Sequence, residues 1–103
     1  KRQEVASFYK DLSSYAGKTV TVCGWARSIR DSKTLGFIDL NDGTSFKGVQ
    51  IVFEDGKIDN FKEIASQNVG AALRVTGTLL ATPEAKQPFE IHASEIVVEG
   101  AST

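Results

Sequence analysis

The spacing of apolar residues changes along the chain from a helical to a strand period. Residues 5–15 place an apolar side chain every three or four positions, which predicts an amphipathic helix that ends before Gly17. Residues 18–29 are rich in β-branched side chains and predict a long first strand with two alternating faces. A polar loop is expected over 30–36. The chain therefore begins with a helix that docks on a β-structure.

Four further strands and one more helix are expected after this loop. Asn60 and Glu63 are spaced as a capping box at the start of an apolar helical stripe, which predicts a helix over 58–69 that ends at Gly70. The pair Asp42-Gly43 is typical of a hairpin turn. Alternation and turn signals predict the strands at 37–41, 46–53, 72–80 and 89–98.

This order of elements is typical of the OB-fold barrel, in which a helix joins strands 3 and 4. A closed barrel also explains why none of the strands resembles a protected sheet edge. We therefore predict a mainly β protein: a five-stranded antiparallel OB-fold barrel with a helix between strands 3 and 4 and an extra N-terminal helix. Another small β-barrel, or a split α+β sheet, is the alternative fold.

The composition is that of one ordinary globular domain. The chain has 103 residues, of which 41% are hydrophobic and 24% are charged. Its one cysteine, Cys23, excludes an internal disulfide, and its one histidine, His92, leaves no second imidazole for a His-rich metal site. No apolar run reaches the roughly 20 residues of a membrane-spanning helix, and no secretory signal is visible. These features predict a cytoplasmic protein with no membrane partner and no metal.

The net charge of −1 argues against a protein that holds duplex DNA mainly by neutralising phosphates. The charges are nevertheless unevenly distributed. Residues 1–50 carry eight Lys and Arg against five Asp and Glu, whereas residues 51–103 carry four against eight. A polyanion is therefore expected to approach the first half of the chain, with a chance distribution as the alternative.

Strand alternation assigns Phe37 to the outer face of the second strand. Ile38 and Leu40 point together into the core, so Phe37 shares the opposite face with Asp39 and Asn41. The polar groups of these two residues would be costly to bury unpaired. The second strand is thus expected to present an aromatic ring to solvent.

The outer face of the third strand carries Gln50, which lies directly opposite Phe37 if a four-residue turn joins the two strands. A ring beside an amide suits one unstacked base, because the ring stacks on the base and the amide reads its edge. Arg27 and Arg30 are expected at the same end, where guanidinium groups can bind a phosphate or stack on a base. The alternatives are a Phe that contacts a neighbouring domain and polar side chains that are merely solvated.

Several segments of the chain resemble the anticodon-binding domains of class IIb aminoacyl-tRNA synthetases, and the resemblance covers nearly the whole chain. Within the class, the asparaginyl branch is more similar than the aspartyl or lysyl branches. The segments concerned are 24–33, 36–43 and 49–52 for the class, and 30–33, 82–91 and 98–100 for the branch.

The resemblance implies a role for each candidate residue. It implies that Phe37 stacks on the central uridine of the anticodon, that Gln50 reads this base and that Arg30 contacts the anticodon. It also implies a contact by Glu90, the acidic residue that begins the fifth strand. Arg27 is added to this set from its predicted position on the outer face.

The same resemblance implies the domain organisation and the partners. Residues 1–17 are expected to form the helix packed on the barrel, 18–99 the anticodon-binding domain, and 100–103 the start of a linker to a catalytic domain that this chain lacks. The chain has no class II catalytic motifs, so we expect recognition without catalysis. ATP and Mg²⁺ are expected only in the parent ligase, which joins asparagine to its tRNA.

The expected partners are a tRNA anticodon loop and the catalytic domain of the same polypeptide. The isolated chain is expected to be a monomer and the parent a homodimer. The alternatives are an aspartyl-type anticodon-binding domain, a general single-strand-binding OB domain, and a structural platform for another domain.

Overall fold

Five strands and three short helices make up the part of the chain that this computed structural model describes, residues 2–102. In chain order these elements are α1 (Val5–Lys10), α2 (Leu12–Tyr15), β1 (Thr19–Asp31), β2 (Leu35–Asn41), β3 (Val49–Glu54), α3 (Phe61–Ala65), β4 (Ala72–Ala81) and β5 (Phe89–Gly100). The strands close into a barrel in the order β1-β2-β3-β5-β4. The mainly β class, the OB-fold barrel and the helix between strands 3 and 4 are confirmed.

Closure of the barrel requires one parallel pair of strands. β1 pairs antiparallel with β2 and with β4, β2 with β3, and β4 with β5. β3 and β5 instead run parallel. A closed ring with an odd number of strands cannot alternate direction at every step, so one pair must run the same way. The expectation of an antiparallel barrel is corrected at this one pair.

Alternate side chains of every strand fill the barrel interior. The fully buried residues include Val22, Ile38, Leu40, Ile51, Phe53, Val75, Leu79 and Ile91. α1 packs at the end where β3 and β5 begin, and the ring of its Phe8 lies 5.8 Å from that of Phe89. α3 packs at the end where these strands finish, with Phe61 and Phe53 ring centroids 5.2 Å apart. Apolar burial at both ends therefore closes the core.

The predicted N-terminal helix over 5–15 is interrupted at Asp11. The backbone of Asp11 leaves the helical region at φ −149°, and it separates α1 from α2. Its carboxylate accepts hydrogen bonds from the hydroxyls of Ser14 and Ser13, which lower the pKa of Asp11 in that order of strength. Such local side-chain bonds compete with helix continuation. α1 nevertheless packs on the barrel, because Val5 and Phe8 are fully buried in the core.

The second predicted helix is shorter than the expected range 58–69. α3 covers five residues, and the side chain of Asn60 does not cap it. Asn60 Nδ2 instead donates to Glu63 Oε1 at 2.8 Å and to the Ile96 carbonyl at 2.9 Å. The predicted capping box is therefore wrong, since the Asn60 amide ties the helix to β5 rather than to its own backbone.

The hairpin between β2 and β3 has a longer loop than the sequence predicts. β3 begins at Val49 rather than at Phe46, which lies in the connecting loop. The register consequently pairs Phe37 with Val52, and Asp39 with Gln50. Phe37 therefore does not face Gln50 directly. Both side chains keep the predicted outer face, because a shift of two residues preserves the face of a strand.

Asn41 is buried, contrary to its expected place on the outer face. It is 5% exposed, since the loop after β2 folds over it. Its Nδ2 donates to the Ser45 carbonyl at 3.2 Å, and its Oδ1 accepts from the Gly43 amide at 2.7 Å. These two bonds compensate for the lost hydration and give the loop a defined shape.

Two observations bear on the ends of the barrel. β5 continues to Gly100, one residue beyond the expected domain boundary. Thr103 lies outside the described residues, and the linker assigned to 100–103 stays a prediction.

Within residues 2–102, none of the helices has the length and apolar character needed to cross a bilayer.

The contact between Gly36 and Phe53 provides a test of the core. Gly36 is buried, and a Cβ atom there would overlap the Phe53 ring. We expect Gly36→Ala to lower the free energy of unfolding by about 1–3 kcal/mol, as overpacking does, in a urea titration. Gly100→Ala is the matched control, because its Cβ would meet only Ala72 at 3.6 Å. Equal stabilities of the two variants would contradict the packing described.

Candidate nucleic-acid interface

The outer face of four strands carries four of the five predicted residues in two neighbouring rows. One row holds Arg30, Phe37, Val52 and His92, and the next holds Ser28, Asp39, Gln50 and Glu90. Within a row, each residue is the cross-strand partner of the next. The barrel therefore brings Arg30, Phe37, Gln50 and Glu90, from β1, β2, β3 and β5, onto one surface.

A β-bulge in β1 directs Arg30 to this surface. Ala26 pairs with Leu40 and Ser28 with Asp39, so Arg27 is an extra residue between two successive pairs. A bulge reverses the alternation of the residues that follow it. Ile29 consequently packs against the core. Arg30 lies in the strand rather than in the predicted loop, and it points outward.

Arg30 and Phe37 form a stacked pair. The guanidinium carbon of Arg30 lies 4.4 Å from the centroid of the Phe37 ring, which is a cation–π distance. Phe37 is half-buried and Arg30 is exposed. The face of Phe37 that Arg30 covers is the kind of aromatic surface on which a base can stack.

A hydrogen-bonded group lies beside this pair. Gln50 Nε2 donates to Glu90 Oε1 at 3.3 Å, and His92 Nε2 lies 2.6 Å from Glu90 Oε2. The carboxylate thus orients the Gln50 amide, with the nitrogen towards Glu90 and the carbonyl oxygen away from it. Gln50 presents both an acceptor and a donor to a ligand, whereas the carboxylate of Glu90 presents acceptors only.

His92 is a member of this group that is not among the predicted site residues. It follows Glu90 by two positions on the predicted fifth strand, so the two side chains share one face. That spacing was a usable signal.

The loop between β4 and β5 forms one wall of a cleft that three of the predicted residues line. Arg30, Gln50 and Glu90 line the cleft with Lys86 and Gln87, and its volume is about 320 Å³. That volume lies at the lower end of the range for small-ligand sites. Lys86 adds a positive charge that sequence periodicity does not reveal, because it lies in an irregular loop.

Arg27 lies outside this cleft. With Phe46, Lys47 and Lys86 it lines an adjoining cleft of about 400 Å³. Arg27 Nη1 donates to the Phe46 carbonyl at 3.4 Å. The prediction that Arg27 is on the outer surface is correct, but the structure separates it from Phe37 and Gln50.

The start of β3 is held in place by Tyr9 of α1. The Tyr9 hydroxyl donates to the Gly48 carbonyl at 2.8 Å. Burial raises the pKa of the Tyr9 phenol, and the charge of Asp39 raises it further. The N-terminal helix therefore helps to position the β2–β3 loop, which borders the cleft that contains Arg27.

A further cleft lies away from this face and is lined by none of the predicted site residues. A cleft of about 490 Å³ near Arg2, Cys23 and Glu99 has Trp25 in its wall, with 44% of that residue exposed. Within residues 2–102, the structure groups no three His, Cys, Asp or Glu side chains as a metal site.

The fold and this surface agree with a known family of domains. The profile of the tRNA anti-codon family, the OB-fold nucleic acid binding domain, matches residues 20–99. The chain belongs to this family. The matched residues include all five strands, apart from the first residue of β1 and the last residue of β5.

The relatives of this OB-fold nucleic acid binding domain include asparagine–tRNA ligases. The chain is 54% identical over 99 residues to that of Acetivibrio thermocellus and 57% identical over 98 residues to that of Bacillus cereus. These alignments cover 96% and 95% of this chain and 21% of each ligase. The chain therefore spans about a fifth of the length of these curated relatives. The resemblance to the asparaginyl branch is confirmed.

Solved structures confirm the fold. The asparaginyl-tRNA synthetase of Pyrococcus horikoshii matches with a TM-score of 0.77 and 22% sequence identity. The match covers 87% of this chain and 21% of that one. At this identity, the likeness concerns the barrel architecture alone.

The Tyr9 contact predicts a pH effect. Because folding raises the Tyr9 pKa, its contribution to stability is fully present below about pH 10 and is lost as pH rises through the folded-state pKa. The chain has two tyrosines, so Tyr15→Phe isolates Tyr9 in a phenolate absorbance titration. We expect the Tyr9 phenol of this variant to titrate at higher pH in the folded protein than in denaturant. Coincident curves would contradict the buried contact.

Proposed function

We propose that this OB-fold nucleic acid binding domain recognises the anticodon loop of a tRNA as part of an asparagine–tRNA ligase. One observation carries the proposal: a stacked Arg30–Phe37 pair lies beside the hydrogen-bonded Gln50–Glu90 pair on one surface. Stacking and edge reading are the two contacts that sequence-specific recognition of single-stranded RNA uses. The identity to asparagine–tRNA ligases supports the asparaginyl branch over the aspartyl alternative.

In this proposal, a base enters by replacing the Arg30 guanidinium on the face of Phe37. Breaking an exposed cation–π contact costs about 0.5–1 kcal/mol. Stacking of a base on an aromatic ring contributes about 1–3 kcal/mol. The exchange is therefore favourable, and the released Arg30 becomes available to a neighbouring phosphate.

Gln50 supplies the base discrimination. Its carbonyl oxygen can accept the imino hydrogen of a uracil while its amide donates to a uracil carbonyl oxygen. Glu90 keeps the amide in one orientation. Its carboxylate also repels phosphates, so the RNA approaches this site with its bases rather than with its backbone. The near-neutral net charge is consistent with recognition that depends on base contacts more than on phosphate neutralisation.

We assign the joining of asparagine to tRNA, with ATP and Mg²⁺, to the parts of the ligase outside this segment. The segment then contributes recognition, and a catalytic domain of the same polypeptide is its covalent partner. We further propose a cytoplasmic homodimer for the whole ligase and a monomer for the isolated chain.

The stacking role predicts a loss of affinity in Phe37→Ala. We expect its Kd for an asparagine-tRNA anticodon stem-loop to rise about 5- to 100-fold, the equivalent of one stacked base. Fluorescence anisotropy titration measures this change. Val69→Ala is the control, because Val69 is 60% exposed but lies before β4, away from the two rows. An unchanged Kd for Phe37→Ala would remove Phe37 from the site.

The reading role predicts a different result for Gln50→Ala. Stem-loops that carry each of the four central bases should differ in affinity for the parent chain and differ much less for the variant. An equal loss on all four stem-loops would overturn the assignment of base reading to Gln50.

An unrelated single strand of the same length tests general single-strand binding, since the affinity of a general binder would depend on RNA length and not on sequence. A chain that binds none of these RNAs would instead be a structural platform.

A further inference from the structure

Phe46 is an aromatic residue whose exposure the fold does not require. It is 93% exposed in the loop between β2 and β3, whereas Phe8, Phe53 and Phe89 are buried. The loop is outside the barrel interior, so Phe46 contributes nothing to the core. A single exposed Phe is common on protein surfaces. Its surroundings therefore decide whether it marks a site.

The loop that carries Phe46 is held by hydrogen bonds along its length. Asp42 Oδ1 accepts from the Thr44 amide at 3.0 Å, and Asp42 Oδ2 accepts from the Val5 amide at 2.9 Å. Beyond this turn, the Ser45 carbonyl accepts from Asn41, and the Phe46 carbonyl accepts from Arg27. The ring is consequently presented on an ordered backbone, and ordering it on binding costs little.

Three cationic side chains line the same cleft as this ring, together with the carboxylate of Asp39. Arg27, Lys47 and Lys86 line the cleft of about 400 Å³ to which Phe46 belongs. They come from β1, from the β2–β3 loop and from the β4–β5 loop. The barrel thus gathers on one cleft cations that are distant in sequence. An aromatic surface flanked by cations is the arrangement that single-stranded nucleic acid recognition uses.

This cleft adjoins the one lined by Arg30, Gln50 and Glu90. Lys86 and Gln87 line both, so the two clefts are neighbours across the β4–β5 loop. A strand whose base occupies one cleft therefore has an adjacent nucleotide within reach of the other.

We propose that Phe46 forms a second nucleotide subsite. The base next to the one on Phe37 stacks on Phe46, and Arg27, Lys47 and Lys86 bind its phosphate. This inference rests on the proposed function, because a first base must lie on Phe37 beside Gln50, which lines the neighbouring cleft.

The first experiment measures stacking on Phe46 with the 103-residue chain and the asparagine-tRNA anticodon stem-loop. We expect Phe46→Ala to raise Kd about 5- to 100-fold. Phe46→Trp should retain affinity, and Phe46→Leu should bind as weakly as Phe46→Ala, because leucine is apolar but has no π face. The high exposure of Phe46 predicts unchanged thermal unfolding for all three variants. Full affinity in Phe46→Leu would overturn stacking.

The second experiment locates the base. Stem-loops with an abasic nucleotide on the 5′ or the 3′ side of the central base are compared with the intact RNA. On one of the two, Phe46→Ala should change Kd less than twofold, because the base that Phe46 binds is missing. An undiminished effect on both abasic RNAs would overturn the subsite.

A salt titration tests the phosphate contact. Lys47→Gln should reduce the slope of log Kd against log salt concentration by about one unit. Lys62→Gln is the control, because Lys62 is exposed on α3 at the opposite end of the barrel. Equal slopes for the two variants would overturn the role of Lys47.

The experiments distinguish a failure of the proposed function from a failure of the Phe46 subsite. If the parent chain does not bind the stem-loop, or Phe37→Ala has no effect, the proposed function itself fails. If Phe37→Ala weakens binding and Phe46→Ala does not, only the second subsite is overturned. The latter result is also expected if Phe46 packs against another protein domain.

Discussion

Barrel closure fixes the face that each strand turns to solvent, and the candidate interface depends on it. Packing of Ile51, Phe53 and their neighbours inside the ring leaves the alternate positions outside. Because five strands cannot alternate direction around a closed ring, β3 and β5 run parallel. This parallel pair brings Gln50 beside Glu90. The Gln50–Glu90 pair thus depends on the closure of an odd number of strands, which requires one parallel pair.

One inserted residue has a comparable effect on the other half of the interface. The bulge at Arg27 reverses the alternation of β1, so that Ile29 packs inward and Arg30 stacks on Phe37. Without it, the period of two that places Ala26 in the core would also direct Arg30 inward. The bulge simultaneously leaves Arg27 at the border of the adjoining cleft, where it holds the Phe46 loop.

The side-chain interactions on the candidate interface have defined partners, but each of them is weak. The Arg30–Phe37 contact and the Gln50–Glu90 hydrogen bond involve exposed or half-buried groups. Each contributes roughly 1 kcal/mol, so the Arg30–Phe37 contact can be broken without disturbing the core. The core is closed at each end by a helix whose aromatic ring packs on a strand. A rigid barrel therefore presents a surface that can rearrange locally.

The sequence by itself determined the barrel, its core and the outward face of Phe37 and Gln50, because periodicity is a local property that survives a register shift of two residues. The similarity to asparaginyl domains pointed to Glu90. Only the tertiary structure decided the register of β2 on β3, the bulge at Arg27 and the burial of Asn41. Each of these depends on contacts between residues distant in sequence: loop length, strand pairing and a backbone that folds over an amide. The contact of Asn60 with Ile96 beside α3 is likewise long-range, whereas the break after α1 accompanies local hydrogen bonds of Asp11.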